Sequence, residues 1–246
     1  MEKQTKVLIC PDIHSRPFWK IVKDSDLPVV FLGDYTDPYP QEGYTREHTL
    51  ANFEEILAFA NEQKDRVTLL LGNHDCQMLG YSPSYCRMDF TNASKYYKLF
   101  LDNKNLFKFA YKWNNTLFTH AGVTNAWLEY NDIEENPDTI VDVLNKNIVF
   151  TDKYWKEFGF SRECEAWDTP ISQISAYRGG DCQFGSPIWA DIDEMALLPA
   201  FKDNLIQIFG HTQLSETGYF VHQDNWYMCD SRSVFIWDGK ELKIFK

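Results

Sequence analysis

Five short apolar runs, each closed by polar residues of one chemical type, set the rhythm of this chain. Val7-Leu8-Ile9, Val29-Val30-Phe31-Leu32, Val67-Thr68-Leu69-Leu70-Leu71, Thr116-Leu117-Phe118 and Leu205-Ile206-Gln207-Ile208-Phe209 are short, aliphatic or β-branched, and bounded by turn residues. That pattern predicts buried strands. Between the second and third runs, Arg46 to Gln63 places Leu50, Phe53, Ile56, Leu57 and Ala60 on one face of a helix, with His48 at its start. The order up to Asp75 reads strand, helix, strand, helix, strand. A loop from Tyr81 to Asp89 and a helix from Thr91 to Asn103 are expected next. From Trp127 to Gly185 the sequence is irregular, aromatic and acidic, with its densest charge between Glu129 and Asp142, followed by Tyr154, Trp155, Trp167 and Tyr177. The tail from Tyr219 alternates, and Asp238-Gly239 ahead of Leu242-Lys243-Ile244 predicts a hairpin that closes a sheet.

The residues that end the five runs carry the chemistry. They are Cys10-Pro11-Asp12-Ile13-His14, Gly33-Asp34-Tyr35-Thr36-Asp37, Gly72-Asn73-His74-Asp75, Thr119-His120-Ala121-Gly122 and Gly210-His211-Thr212. In α/β sheets ligands gather in the crevice beyond the carboxyl ends of strands, so these side chains would meet in one pocket. A pair of divalent cations about 3.5–4 Å apart needs a carboxylate that touches both, imidazoles, small oxygen donors and open positions. Asp12, His14, Asp34, Asn73, His120 and His211 supply that set. Of the six histidines only His48 and His222 lie outside these motifs, a sorting that scattered core histidines would not show. Oxygen and imidazole donors suit manganese, iron or zinc better than magnesium.

The order D-x-H, G-D-x-x-D, G-N-H-D, a lone His before small residues, and G-H resembles the calcineurin-like metallophosphoesterase superfamily, over positions 12 to 211. Gly33-Asp34-Tyr35-Thr36-Asp37 and Ser186-Pro187-Ile188-Trp189-Ala190-Asp191 look most like its phosphoprotein phosphatase branch. The resemblance implies an α/β fold of two packed mixed β-sheets flanked by helices. It implies that Asp12 and His14 bind a first metal, that Asp34 bridges, and that Asn73, His120 and His211 complete a second. His74 would be the proton donor to the leaving group, oriented by Asp37, and a hydroxide bridging the two metals the nucleophile. Asp75 would support a ligand or its own turn.

Three positions depart from that pattern. Gln213 stands where many relatives have a further metal-binding His, and could lend its amide oxygen; Pro11 replaces a Gly; Pro38 replaces an Arg that would clamp phosphate. Arg178 and Arg16 are the candidates to replace that clamp, since a guanidinium fork matches phosphate. The expected activity is hydrolysis of a phosphomonoester, either a phosphoprotein or a small phosphorylated metabolite. Two alternatives stand beside it: a phosphodiesterase or dinucleoside polyphosphate hydrolase, and a binding scaffold of the same fold with little activity. Asp34, Asn73 and His74 together count against the scaffold.

Composition narrows the picture further. The 246 residues fit one metallophosphoesterase-like domain over 1–246, with residues 127–185 as an insertion that overhangs the metal pocket and selects substrate. With 36 acidic against 24 basic residues the net charge is −12, which argues against extended nucleic acid as substrate. The six cysteines form no C-x-x-C pair, the N-terminus lacks a signal-like apolar segment, and no stretch is long enough to cross a membrane. A cytoplasmic protein with free thiols is expected, with Cys10 and Cys76 buried beside the metal motifs.

Overall fold

The structure is a computed structural model that describes residues 5–81, 86–150 and 169–246. Two mixed sheets face each other. The first holds six strands in the order β11-β10-β1-β2-β3-β4 and the second five in the order β5-β6-β7-β9-β8. The chain passes through β1 (Val7–Cys10), β2 (Val29–Phe31), helix α1 (Arg46–Glu62), β3 (Val67–Leu70), α2 (Asn73–Met78), α3 (Ala93–Asp102) and β4 (Phe107–Lys108). It continues through β5 (Tyr111–Trp113), β6 (Thr116–Phe118), α4 (Asn125–Tyr130), α5 (Ile140–Asn145), α6 (Ile192–Leu197) and β7 (Ile206–Phe209). The tail supplies β8 (Val221–Gln223), β9 (Trp226–Met228), β10 (Phe235–Trp237) and β11 (Leu242–Ile244). No helix among the described residues is long and apolar enough to cross a membrane.

The strands read as unbroken apolar runs because both of their faces are buried. Val7, Ile9, Val30, Leu32 and Leu70 point into the space between the sheets, where they meet Phe118, Ile208, Phe235 and Trp237. The alternate residues Leu8, Cys10, Val29, Phe31 and Leu69 point the other way, onto Phe53, Ile56 and Leu57 of α1. This is the two-residue period of a strand with an apolar neighbour on each side. A hydrogen bond from Trp237 Nε1 to Thr116 Oγ1, 2.9 Å, ties the sheets together across that core.

Two local features differ from the sequence expectation. The first crossover is a 3-10 helix, Pro17–Asp24, which begins on a proline and buries Trp19 and Val22; only the second crossover, α1, is an α-helix. Thr45 caps α1 by accepting the N–H of His48, so His48 does sit at the helix start. The tail forms two hairpins rather than one. β8 and β9 pair in the five-stranded sheet and β10 and β11 in the six-stranded sheet, so the segment between them crosses from one layer to the other.

Within residues 127–185, Tyr154, Trp155 and Trp167 lie outside the described residues. Trp127, Leu128, Ile140 and Leu144 are fully buried in the main core, a consequence of the apolar faces of α4 and α5.

Candidate functional site

The five strand-end motifs come together where the carboxyl edges of the two sheets meet. Three of them follow β1, β2 and β3 of one sheet, and two follow β6 and β7 of the other. Beyond β1 and β2 the backbone ladder continues as Ile13 N–H to Gly33 O at 3.2 Å, His14 N–H to Asp34 O at 2.6 Å and Ser15 N–H to Tyr35 O at 3.1 Å. Gly210 N–H donates to His120 O at 2.8 Å and joins the remaining two motifs. Carboxylates then knit the groups. Asp12 accepts the His211 N–H at 3.0 and 3.1 Å, and Asp34 Oδ1 accepts the His74 N–H at 3.0 Å.

Turning side chains inward from these ends demands unusual backbone. His14, Asp34, Asp37 and His211 have φ of 42°, 54°, 65° and 69°, a region that non-glycine residues avoid. Such strain, about 1–3 kcal/mol per residue, persists where the surroundings over-determine it, and it clusters at functional sites. Two glycines make room for the carboxylates. A Cβ on Gly72 would lie 2.1 Å from Asp34 Oδ1, and one on Gly210 would lie 2.0 Å from Asp12 Oδ1. Asp75 supports this arrangement from beneath, its carboxylate accepting the N–H groups of Asp34 (2.7 Å), Gly72 (2.9 Å) and Tyr35 (3.0 Å). It therefore both fixes its own turn and steadies the Asp34 loop.

For His14 and His120, hydrogen bonds on the far side of the ring decide which atom faces the centre. His120 Nδ1 donates to Leu32 O at 2.8 Å, and His14 Nδ1 donates to Asp37 O at 3.0 Å, because a carbonyl only accepts. In the neutral rings both Nε2 atoms are therefore bare lone pairs. They flank one oxygen, Asp34 Oδ2, at 3.4 Å from His14 and 3.6 Å from His120. Asn73 Oδ1, His120 Nε2 and His211 Nδ1 form a triangle with sides of 2.9, 3.1 and 3.1 Å. Two ligands at right angles on a cation, each about 2.1 Å from it, stand about 3.0 Å apart. Asn73 Oδ1 and His120 Nε2 are both acceptors, so their 2.9 Å approach is repulsive without a positive centre between them. The donor set fits a bound cation.

The electrostatics agree. Burial, with the charges of Asp12 and Asp75, pushes the Asp34 carboxyl well above the usual carboxylate range. Burial also holds His14, His120 and His211 below the usual imidazole range, in the neutral form that binds metals. His74 is arranged differently: its Nδ1 lies 2.5 Å from Asp37 Oδ2 and carries the proton of that bond, while its Nε2 is 3.9 Å from Asp34 Oδ2. Geometry groups the ligand atoms of His14, Asp34 and His74 within 4.8 Å of one another, and likewise those of Asp12, Asp34 and His120. Asp34 is common to both groups, with His14 and His74 beside it in one and Asp12 and His120 in the other.

A cavity of about 260 Å³ opens over these atoms, and His14, Asp34, Asn73, His74 and His211 line it. Arg178 lines it too, with Nε 2.7 Å from Asp191 Oδ2 and a hydrogen bond from Nη2 to Thr212 Oγ1. Arg16 is not among the lining residues: it is buried, its Nε donating to both oxygens of Glu42 at 3.0 and 3.1 Å and its Nη1 to Asp12 O at 3.3 Å. Gln213 does not line the cavity either. Tyr39, Cys86, Arg87 and Trp189 complete the wall, and sequence reasoning missed the first three. Arg87 and Cys86 stand in a stretch of sequence with no periodicity. Tyr39 directly follows Pro38, and that proline, standing where an arginine was expected, was the only signal near it.

The sequence profile of the calcineurin-like phosphoesterases matches residues 5–214. Among solved structures, the cold-active protein-tyrosine phosphatase of a psychrophile, Shewanella sp., is similar over 97% of this chain and 76% of its own, at 17% identity and a TM-score of 0.54. A protein serine/threonine phosphatase from Saccharomyces cerevisiae, with similarity to human phosphatase PP5, is similar over 99% of this chain and 80% of its own, at 14% identity and a TM-score of 0.51. At such identities these structures speak for the fold, and they share the paired mixed sheets. The profile spans the motifs from Asp12 to His211, and on that ground the chain belongs to the calcineurin-like phosphoesterases, metal-dependent hydrolases of phosphoric esters.

Proposed function

We propose that the protein is a phosphomonoesterase that works with two divalent cations, manganese, iron or zinc. The observation that carries this reading is the placement of Asp34 Oδ2 between the bare Nε2 atoms of His14 and His120, beside the close triangle of Asn73 Oδ1, His120 Nε2 and His211 Nδ1. Asp34 would be shared by both cations, with His14 and Asp12 on one side and Asn73, His120 and His211 on the other. When bound, such a pair supplies acidified water and neutralises charge on phosphoryl oxygens. The protein's own residues do the rest. Asp37 holds one ring proton on His74 Nδ1, so in the doubly protonated ring it is the second proton, on Nε2, that His74 hands to the departing oxygen, leaving the neutral ring with Nδ1–H still bound to Asp37. Arg178 presents positive charge to the phosphate from the opposite loop. Buried acceptors fixed in this way lose no reorganisation energy when the reaction begins.

The similar solved structures are described as protein phosphatases, so phosphorylated peptides are the first substrates to try, followed by small phosphorylated metabolites. The test is a panel of phosphomonoesters, phosphodiesters and dinucleotides, offered with each metal in turn to chelator-stripped protein. Monoester turnover that depends on added metal is expected. A wide preference for diesters would replace this reading with a phosphodiesterase, and no turnover of any ester would leave a binding scaffold.

A further inference from the structure

The cavity over the candidate metal ligands is not isolated. Tyr39 and Arg87 form a wall that it shares with a second cavity of about 320 Å³, lined also by Pro38, Pro40, Tyr44 and Met88. Three arginines lie near the site, and their engagements differ. Both carboxylate oxygens of Glu42 hold Arg16 inside the protein. Asp191 and Thr212 hold Arg178. The ties of Arg87 to Asp37 are long, 3.5 Å from Nε to Oδ2 and 3.3 Å from Nη2 to the carbonyl, and its side chain is 38% exposed. Moreover, Asp37 Oδ2 is already taken by His74 at 2.5 Å. The guanidinium instead lies over the Tyr39 ring, 4.1 Å from its centroid, a contact that orients the group without using its N–H donors. Of the three, Arg87 has the most donors to offer a ligand.

The second cavity has little charge to spare. Arg46 is paired with Asp89 at 3.1 Å, and Asp37 with His74, so rings, prolines and a thioether make up much of the rest of its wall. The His74–Asp37 bond runs through the partition, with His74 lining the first cavity and Asp37 the second. A proton leaving His74 therefore leaves beside the boundary of the two spaces.

Resting on the phosphomonoesterase reading, we propose that Arg87 grips the substrate phosphate at this boundary and that the second cavity receives the leaving group, a flat and largely apolar alcohol such as a phenol. The phosphate occupies the first cavity between Arg87 and Arg178. The bond between phosphorus and the leaving oxygen breaks at the partition, where His74 protonates that oxygen, and water contributes the hydroxyl that stays on phosphorus.

The test uses metal-loaded protein and two readouts. Calorimetric titration with inorganic phosphate, which needs no turnover, should show binding weakened about 10- to 100-fold in Arg87→Ala, as for a lost charge-assisted bond. Arg87→Lys should recover only part of it, because an ammonium keeps the charge but not the fork. Steady-state kinetics should show Tyr44→Ala and Met88→Ala raising KM roughly tenfold for phenyl phosphate, the value of a lost ring or thioether contact, while glycerol phosphate is unaffected. Wild-type phosphate affinity in Arg87→Ala, with only kcat reduced, would mean that Arg87 acts through Asp37 and would overturn the clamp. Phenyl and glycerol phosphates affected alike by Tyr44→Ala and Met88→Ala would overturn the leaving-group cavity. Failure of the wild type to hydrolyse any monoester would sink the underlying phosphomonoesterase reading, while the phosphate titration still decides Arg87.

Discussion

Replacing Gly72 by alanine should disable the site without touching a ligand. The backbone at Gly72, φ −95° and ψ 179°, suits any residue, so no torsional penalty arises. The obstacle is space: the new methyl would lie 2.1 Å from Asp34 Oδ1, 2.8 Å from Asp34 Cγ and 2.8 Å from the Asp34 backbone nitrogen, where ordinary contact begins near 3.4 Å. The Asp34 carboxylate must retreat by roughly 1 Å, a distance that gives up its bond to the His74 N–H and moves Oδ2 off its position between His14 and His120. A misplacement of about 1 Å in a catalytic constellation can cost on the order of 10²-fold in rate, and that is the expected loss in kcat. Stability should fall as well, by about 1–3 kcal/mol as is typical of overpacking a buried site, because the Asp34 backbone cannot swing aside as its carboxylate can. A loss of turnover of about 10²-fold in protein that still melts cooperatively is the expected result. Metal content by elemental analysis, ester turnover and a melting curve of the stripped protein are the measurements. Gly239→Ala is the control: its φ of 88° imposes strain but nothing lies within 4 Å, so it should lower Tm and spare turnover. Wild-type turnover and metal content in Gly72→Ala would show that Asp34 does not bridge.

Asp34→Asn should lose metal and turnover together, and a variant that kept two metals at full activity would remove Asp34 from the centre. His74→Ala should retain its metals and lose kcat by roughly 10²–10⁴-fold, less for nitrophenyl esters whose leaving group needs no proton; an equal loss for good and poor leaving groups contradicts the acid role. Asp75→Asn keeps every ligand but sets an amide NH2 against one of three backbone N–H groups, so metal affinity should fall about 10–100-fold, and an unchanged titration would assign Asp75 to its turn alone. Acidification should also strip the metal. Burial raises the Asp34 carboxyl, so protons compete there above the ordinary carboxylate range, whereas the buried histidines stay neutral to below theirs; metal retained down to about pH 4 would refute that order.

The five strands were legible because each is buried on both faces, so that Val7 to Ile9 or Val29 to Leu32 needs no partner to be recognised. Their terminal motifs were legible for a related reason, since strand ends are where side chains escape the sheet. Partnership between strands was not legible. Nothing local in Trp226–Met228 or Phe235–Trp237 says that one joins β7 and the other β1, because that choice follows from the whole layered packing. The arginines show the same limit. Arg16 and Arg178 stand near motifs and look alike in sequence, yet Glu42 holds one inside the protein and the other reaches the cavity. Arg87 has no motif around it, and only the fold brings it over Tyr39.

The bond from His211 N–H to the Asp12 carboxylate closes a span of 199 residues. Closing so long a loop is among the costliest entropic steps available to a chain of this length, so the centre cannot form in a fragment that holds only one sheet. A cation bound there favours only the state in which both sheets have met, and its release therefore tracks their separation rather than fraying at either edge. Metal occupancy during denaturation would serve as a clock for the joining of the two halves of the molecule.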